Sequence, residues 1–324
     1  MTLDEALNLP EDLEYTGEFG PELVLALPFF NWLSLHGLLS TRRIVTYNGM
    51  RCFYEDLGCR EIIEKAGPRG YLPPNDRPAW LPVKDEHTFD AFKRTPFHIW
   101  PDLREKFGRL PMMPDIARPD RPILVIHNKH CDEWCSGPVN FLPIPLLRAI
   151  FETLSSRYTI VYIRHGLVKG GNGYVDDHNM SLDFEDGALL QEYDDVIDFA
   201  DLYRQHLDLG GNQDLNTFKS VLYSRCHHFI SSQGGGAHQI ALFSGSMLAI
   251  LHRRGRESEW AYAKGYYSFM ADIPPITLVC SDPAAMMQAL PAFVDAPIVS
   301  GRVMPRADMA FIASVLDPNR STSV

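Results

Sequence analysis

The sequence predicts an α/β protein made of two Rossmann-like domains, the first of them short and irregular. Three observations carry that expectation. Strand-length apolar runs alternate with amphipathic helical segments between residues 121 and 252. Three consecutive glycines, Gly234, Gly235 and Gly236, join one apolar run to a helix-like one. Eleven of the 24 prolines fall between Pro68 and Pro122, which sets off a first half of different character.

From the N-terminal side, ELVLALPF reads as a strand, NWLSLHGLL as a helix and RRIVTY as a second strand, giving one βαβ unit within residues 22 to 47. The proline-dense stretch after this unit includes YLPPNDRPAWLP and TPFHIWPD. Proline lacks the N–H that sheet interiors and helices require, while the aromatic side chains argue against free disorder. This stretch is expected to be irregular but packed, ending in a linker near PMMPDIARPDRP. The expected division is an N-terminal α/β domain over residues 1–118 and a C-terminal Rossmann-like domain over residues 119–324.

Beyond the linker each element follows from its periodicity. RPILVIHN is a strand, and the loop KHCDEWCSGPVN leads to a helix with Leu147, Ile150, Phe151 and Leu154 on one face. YTIVYIRHG is the next strand and DDVIDF a short third. LNTFKSVLYSR places Leu215, Phe218 and Leu222 on one helical face. HHFISS, the glycine loop, the helix AHQIALFSG and the strand SMLAILH complete the alternation. Such an order implies a parallel, doubly wound sheet.

Composition excludes several function classes. A formal charge of −11 disfavours a nucleic-acid partner, which calls for a basic face to neutralise phosphates. The start, MTLDEALNLPEDLEYTGEFG, is acidic and lacks the basic residues and apolar core of a secretion signal. LVLALPFFNWLSL is interrupted by Pro28 and Asn31 and falls short of the roughly 20 apolar residues of a membrane span. A cytoplasmic protein without an integral membrane segment is expected, and its six cysteines do not form a disulfide framework. His127, His130, Cys131 and Cys135 in HNKHCDEWC have zinc-ligand atoms at short spacing, but no second motif completes a finger, so no metal site is expected.

A glycine turn from the carboxyl end of a parallel strand into a helix exposes backbone N–H groups beside the positive end of the helix dipole. It suits an anion, most often a phosphate. Ser231, Ser232 and His238 have donors to add around the same oxygens. The alternative is a tight turn whose glycines serve helix–sheet packing alone. Neither GxGxxG after the first strand nor GxxxxGK[ST] occurs, which disfavours dinucleotide oxidoreductases and P-loop NTPases.

SSQGGGAHQIALFSGSMLAILH resembles the donor-binding loop, helix and following strand of GT-B-fold glycosyltransferases, above all the heptosyltransferase-type D-S-G-P-A-H segment. ILVIHNKHCDEW is similar to the strand and loop that open the donor domain of those enzymes. YTIVYIRHG is similar to its second strand, and LNTFKSVLYSRCHHFISS to the helix and strand before its glycine loop. The likeness covers roughly residues 120 to 255. It departs at Gln233, where the pattern prefers an acidic or serine-like residue, and in a first half short for an acceptor domain. The resemblance implies a GT-B-like glycosyltransferase. Its C-terminal domain would bind a nucleoside-diphosphate sugar, and its N-terminal domain would face a glycan or other hydroxyl acceptor.

A diphosphate leaving group needs cations or donors where negative charge develops. Lys129 and Arg164, each at the end of an expected strand, are the candidates beside Ser231, Ser232, Gly234, Gly235, Gly236 and His238. IRHG also resembles the arginine segment HxRRGD of fucosyltransferases, without its second Arg and its Asp. In RRGRESEWAYAKGYYSF, Glu257 and Glu259 are candidates for the ribose hydroxyls, Glu259 among the donor-binding set, and the aromatic rings for base stacking, the alternative being a charged loop beside an aromatic packing cluster. His36 and His127 are candidate general bases, and His238 competes with them. The acidic pairs in YVDDHN and EYDDVIDFAD follow no DxD pattern, so neither a divalent metal nor another cofactor is expected. Two other classes stay open. One is a nucleotide-sugar 2-epimerase-like enzyme, and the other a non-catalytic sugar-nucleotide-binding protein.

Overall fold

A computed structural model describes residues 2–67, 69–85, 95–118, 120–133, 136–164, 184–262, 265–294, 296, 298–299 and 302–303. The first half runs α1 (Leu3–Leu7), β1 (Asp12–Glu14), α2 (Phe19–Pro21), a π-helical turn (Glu22–Ala26), α3 (Leu27–Leu35), β2 (Arg43–Tyr47), α4 (Arg51–Tyr54), β3 (Glu61–Lys65) and α5 (Leu103–Gly108). The second half continues with β4 (Ile123–Asn128), α6 (Ile144–Leu154), β5 (Thr159–Arg164), α7 (Asp186–Leu190), β6 (Val196–Asp198), α8 (Phe199–Asp208), α9 (Leu215–Ser224), β7 (His228–Ser232), α10 (Gly235–Ala241), β8 (Met247–Leu251), α11 (Glu257–Trp260), β9 (Ile276–Cys280) and α12 (Pro283–Val294), then the short pair β10 (Ile298–Val299) and β11 (Arg302–Val303).

The larger sheet has six strands in the order β6-β5-β4-β7-β8-β9, all parallel. Renumbered from β4, this is the order 3-2-1-4-5-6 of doubly wound nucleotide-binding sheets. Side-chain alternation explains the double layer. Val125, Val161, Phe229, Leu248 and Ile250 join a core with α8, α9 and α10, whereas Leu124, Ile126, Ile160, Tyr162, Ile230 and Ala249 join a core with α6, α7 and α12. Strands buried on both faces read as near-continuous apolar runs, as residues 123–126 of β4 do before His127 and Asn128 end the strand.

The smaller sheet, in the order β1-β2-β3, is also parallel. Here the chain departs from the sequence reading. ELVLALPF is not a strand: Glu22–Ala26 form the π-helical turn and Leu27 begins α3. The strand that opens the βαβ unit is Asp12–Glu14, ahead of the expected position. A continuous apolar run is compatible with a buried helix as well as a buried strand, and this run is buried on every side. Pro28 accounts for the local geometry. It has no N–H to bond the Val24 carbonyl, and the turn widens so that Leu27 N–H bonds the Glu22 carbonyl.

The two sheets share one hydrophobic core. Phe19, Phe30, Phe53 and Phe107 of the first half belong to the same buried cluster as Phe218, Tyr223, Ala237 and Phe243 of the second. Before the expected boundary at residue 118, Arg104 of α5 docks on the larger sheet's helical layer. Its guanidinium donates to the Ser224 carbonyl at 2.7 Å and the Ser246 hydroxyl at 2.8 Å.

Candidate functional site

In a sheet of this order the crevice lies where neighbouring strands lead their connections to opposite faces, here between the carboxyl ends of β4 and β7. His127 and Ser231 are in register across that point. The end of β4 is organised by Asn128, which is fully buried. Its Oδ1 accepts from the N–H groups of Lys129 at 3.0 Å and Leu142 at 2.8 Å, while its Nδ2 donates to the Leu142 carbonyl at 3.0 Å. The loop from 129 to 142 is thereby pinned, and Lys129 turns toward the end of β7.

The three glycines have separate physical reasons. Gly234 has φ 134° and ψ −167°, a conformation open essentially to glycine alone, and a Cβ there would lie 3.3 Å from Lys129 Nζ. At Gly235 a Cβ would meet Phe19 Cδ1 at 3.2 Å and the Gly20 backbone nitrogen at 3.5 Å. Gly236 lies against the His127 imidazole, and any Cβ would overlap that ring. No side chain caps the first turn of α10. Its N–H groups therefore face the junction where β4, β7 and the α2 segment converge.

The smaller sheet meets this junction with its own carboxyl edge. Phe19 and Gly20 follow β1, and Gly49 follows β2. The Gly49 carbonyl accepts from Asn216 Nδ2 at 2.9 Å, near the start of α9. Behind Phe19 lies a buried ion pair, Glu22 with Arg69. Tyr54 adds a hydrogen bond to the Glu22 carboxylate at 2.8 Å, and Arg69 donates to the Gly17 carbonyl at 3.0 Å. Two parallel sheets thus present their carboxyl ends to each other across the glycine turn.

Lys129 belongs to a polar network. Its ammonium pairs with Glu133 at 3.1 Å and donates to Gln233 Oε1 at 3.3 Å. Glu133 also accepts from the Asn140 side chain at 2.9 Å and backbone N–H at 2.7 Å. Asn140 Oδ1 in turn holds the backbone N–H groups of Arg253 at 2.7 Å and Arg254 at 3.1 Å. Gln233 Nε2 donates to Glu257, which also contacts His252 at 2.9 Å. Burial pushes the Glu257 carboxyl up, but hydrogen bonds from His252 and its own backbone N–H, with the charge of His252, hold it below the usual range. The loop after β8 is therefore fastened to the loop after β4.

The structure brings together His127, Lys129, Ser231, Ser232 and Gly234 to Gly236. Ser231 Oγ donates to the Ser232 carbonyl at 2.7 Å, and the buried Ser232 hydroxyl has no hydrogen-bond partner among the described residues. His238 is on the protein side of α10. Its Nδ1 meets the hydroxyls of Tyr267 at 2.7 Å and Tyr266 at 3.1 Å, and its ring edge lies against Gly20.

Arg164 is one strand away from the crevice and is engaged structurally. It pairs with Asp186 at 2.7 Å and donates to the Phe184 carbonyl at 2.9 Å. Tyr162 donates to the same Asp186 at 2.7 Å. His36 lies apart from the cluster. It is exposed at the C-cap of α3, its Nδ1 2.8 Å from the Trp32 carbonyl. From Gly20 at the glycine turn to His36 the helical run extends on the order of 20 Å, so His36 does not reach the junction.

Glu259 is in α11, but its side chain lies outside the described residues, as do Cys135 and the YVDDHN segment. In EYDDVIDFAD, Asp198 caps α8 through Ala200 N–H at 2.9 Å, and Asp201 pairs with Arg204 at 2.7 Å. Among the described residues no group of three or more His, Cys, Asp or Glu side chains is disposed to hold a metal ion. Among the same residues no helix is long and apolar enough to cross a membrane. Sequence reasoning missed Glu133, Asn140 and His252 as partners of the site: the links that close the network, Asn140 to Arg253 and Lys129 to Gln233, span 113 and 104 residues, which no local spelling announces. Gln233, adjoining the glycines, was the visible signal.

No protein-family model and no curated protein matches this chain. Among solved structures, the chain is similar to the wall teichoic acid polymerase TagF at 12% identity and a TM-score of 0.32, over 89% of this chain and 59% of the polymerase chain. A variant of the same polymerase matches at 11% identity and 0.32, over 85% and 57%. This chain therefore spans less than two thirds of the polymerase. An overlap this loose assigns no reaction to the chain.

Proposed function

We propose that this chain is a metal-independent glycosyltransferase that binds a nucleoside-diphosphate sugar at the glycine turn and transfers the sugar to a hydroxyl acceptor. The observation that supports it best is the glycine turn itself. It stands at the switch point of a 3-2-1-4-5-6 sheet, beside Lys129, with the carboxyl edge of a second parallel sheet opposite. In this reading the N–H groups of α10's first turn and the Lys129 ammonium receive the diphosphate as negative charge develops on it. An arriving phosphate shares Lys129 with Glu133, so binding loosens the clamp on the loop after β4. His127, packed on Gly236, is the imidazole at the turn and the candidate proton carrier. The β1 and β2 loops would supply the acceptor side.

The test is release of nucleoside diphosphate from a set of sugar nucleotides, with and without glycan acceptors, in the presence of EDTA. Acceptor-dependent release that survives EDTA agrees with the proposal. Formation of a rearranged free sugar without an acceptor would identify epimerase-like chemistry instead. Tight binding without turnover would identify a sugar-nucleotide-binding protein.

A further inference from the structure

Gln233 is the last residue before the three glycines. Its backbone N–H donates to the Leu251 carbonyl at 3.1 Å, so the pairing of β7 with β8 runs one residue past Ser232 and delivers Gln233 to the turn in a fixed place. The side chain is buried. Its Oε1 accepts from Lys129 Nζ at 3.3 Å, and its Nε2 donates to the Glu257 carboxylate. The two ends of a carboxamide are not interchangeable in this setting. Reversed, the amide would set its NH2 against the ammonium and its oxygen against the carboxylate. The charges on either side therefore lock its orientation.

The cation that Gln233 holds is the one over the turn, since Lys129 Nζ lies 3.3 Å from the point a Cβ on Gly234 would occupy. Two acceptors share it. Glu133, at 3.1 Å, supplies a counter-charge, and Gln233 supplies an oxygen dipole without one. Neutrality at 233 has a physical reason. A glutamate has the same shape, but its carboxylate would place a second counter-charge on Lys129 and would meet the Glu257 carboxylate where the amide now donates. Glu257 already faces His252 at 2.9 Å and lies within electrostatic reach of His238 on α10 and of the buried Tyr262 and Tyr267.

We infer that Gln233 is a positioning residue of the donor site: its amide oxygen holds the Lys129 ammonium over Gly234 without neutralising it, and its NH2 ties that arrangement to Glu257 at the start of α11. This rests on the reading of the turn as a diphosphate site. An arriving phosphate then competes for Lys129 with one carboxylate, that of Glu133; with a glutamate at 233 it would compete with two. A protonated glutamic acid would restore the native pattern, because its carbonyl oxygen accepts from Lys129 and its O–H donates to Glu257. The groups facing that proton are Lys129 and Glu133 from the loop after β4, and Glu257 and His252 from the chain after β8. The Glu257 charge and burial favour it, and the ammonium opposes it.

The experiment titrates wild type, Gln233→Glu and Gln233→Ala with inorganic pyrophosphate, UDP, GDP, ADP and CDP at about pH 8 and at about pH 5, near the carboxylate range. Each variant is compared with wild type at the same pH, which cancels the titration of the ligand itself. At the higher pH, Gln233→Glu is expected to bind pyrophosphate and the preferred diphosphate about tenfold more weakly than wild type, and at the lower pH the gap narrows to about threefold or less. Gln233→Ala weakens binding about fivefold without that pH dependence, and in a Lys129→Ala background it has no further effect. Binding equal to wild type in either single variant at the higher pH would overturn the role of Gln233 while leaving the donor site standing. So would a loss in Gln233→Glu by the same factor at both pH values, which would make 233 a structural position. An undiminished effect of Gln233→Ala in the Lys129→Ala background would show that Gln233 does not act through Lys129, and would also overturn the inference. Silence of wild type toward pyrophosphate and all four diphosphates would overturn the donor site, and this inference with it.

Discussion

The sharpest structural prediction concerns the contact between Gly236 and His127. An alanine at 236 would drive its Cβ into the imidazole, which is buried at 6% exposure and has little room to turn aside. Overpacking of this kind costs about 2 kcal/mol. Against that, replacing glycine by alanine within a helix is worth roughly 0.5–1 kcal/mol. Gly236→Ala alone is therefore expected to destabilise by about 1 kcal/mol. In a His127→Ala background the clash is gone, and the same substitution should stabilise by roughly 0.5–1 kcal/mol. The coupling across the cycle is then about 2 kcal/mol, against near-additivity for separated sites. Thermal melts of the four proteins read it directly, since 1 kcal/mol moves the melting temperature of a large domain by about 2–4 °C. An equal shift from Gly236→Ala in both backgrounds would refute the packing argument.

Gly234→Ala, at a φ of 134°, should lose about 1–3 kcal/mol from backbone strain, and a Lys129→Ala background should not rescue it in denaturant titrations. Arg164→Ala leaves Asp186 buried without its partner and is expected to destabilise by about 3 kcal/mol while leaving nucleotide affinity unchanged; a fall in affinity at full stability would return Arg164 to the donor site. Burial lowers the pKa of His227 and of His228 to about 4, from an ordinary value of 6.5. The unfolded chain takes up these protons first, so their contribution to stability is complete above pH 6.5 and is lost as the pH falls toward 4. Urea midpoints measured across that range should decline, and His228→Phe, which keeps the contacts with Tyr158 and Phe293, should flatten the decline. An unchanged acid limb in that variant would show that His228 does not titrate on unfolding.

Much of the larger sheet was legible because its strands are buried on both faces and its helices on one. ILVIHN, TIVYIR and HFISS, of 6, 6 and 5 residues, are strand-length runs punctuated by glycine, proline and polar loops, and length favours a strand over a helix. ELVLALPF failed for the same physical reason in reverse. A segment apolar on every side has no periodicity to report, and only the length and position of its partners decide between strand and helix. The glycine turn was legible as a place of close approach, but the sequence did not say what approaches. One neighbour proved to be Phe19 and Gly20, more than 200 residues earlier in the chain. Arg164 illustrates the other limit. An arginine ending a strand is equally suited to a phosphate or a carboxylate, and Asp186 becomes its partner only when α7 folds back on β5.

Diphosphate binding at the glycine turn is read directly by a thermal-shift panel on the wild-type chain with UDP, GDP, ADP and CDP, each with magnesium and with EDTA. A ligand at 100 times its dissociation constant stabilises the native state by ~2.7 kcal/mol, a shift of about 5–10 °C at 2–4 °C per kcal/mol. One diphosphate is expected to produce such a shift, equally with magnesium and with EDTA. No shift with any of the four, in a sample that melts cooperatively, would contradict it and leave the glycines as packing for Phe19 and His127.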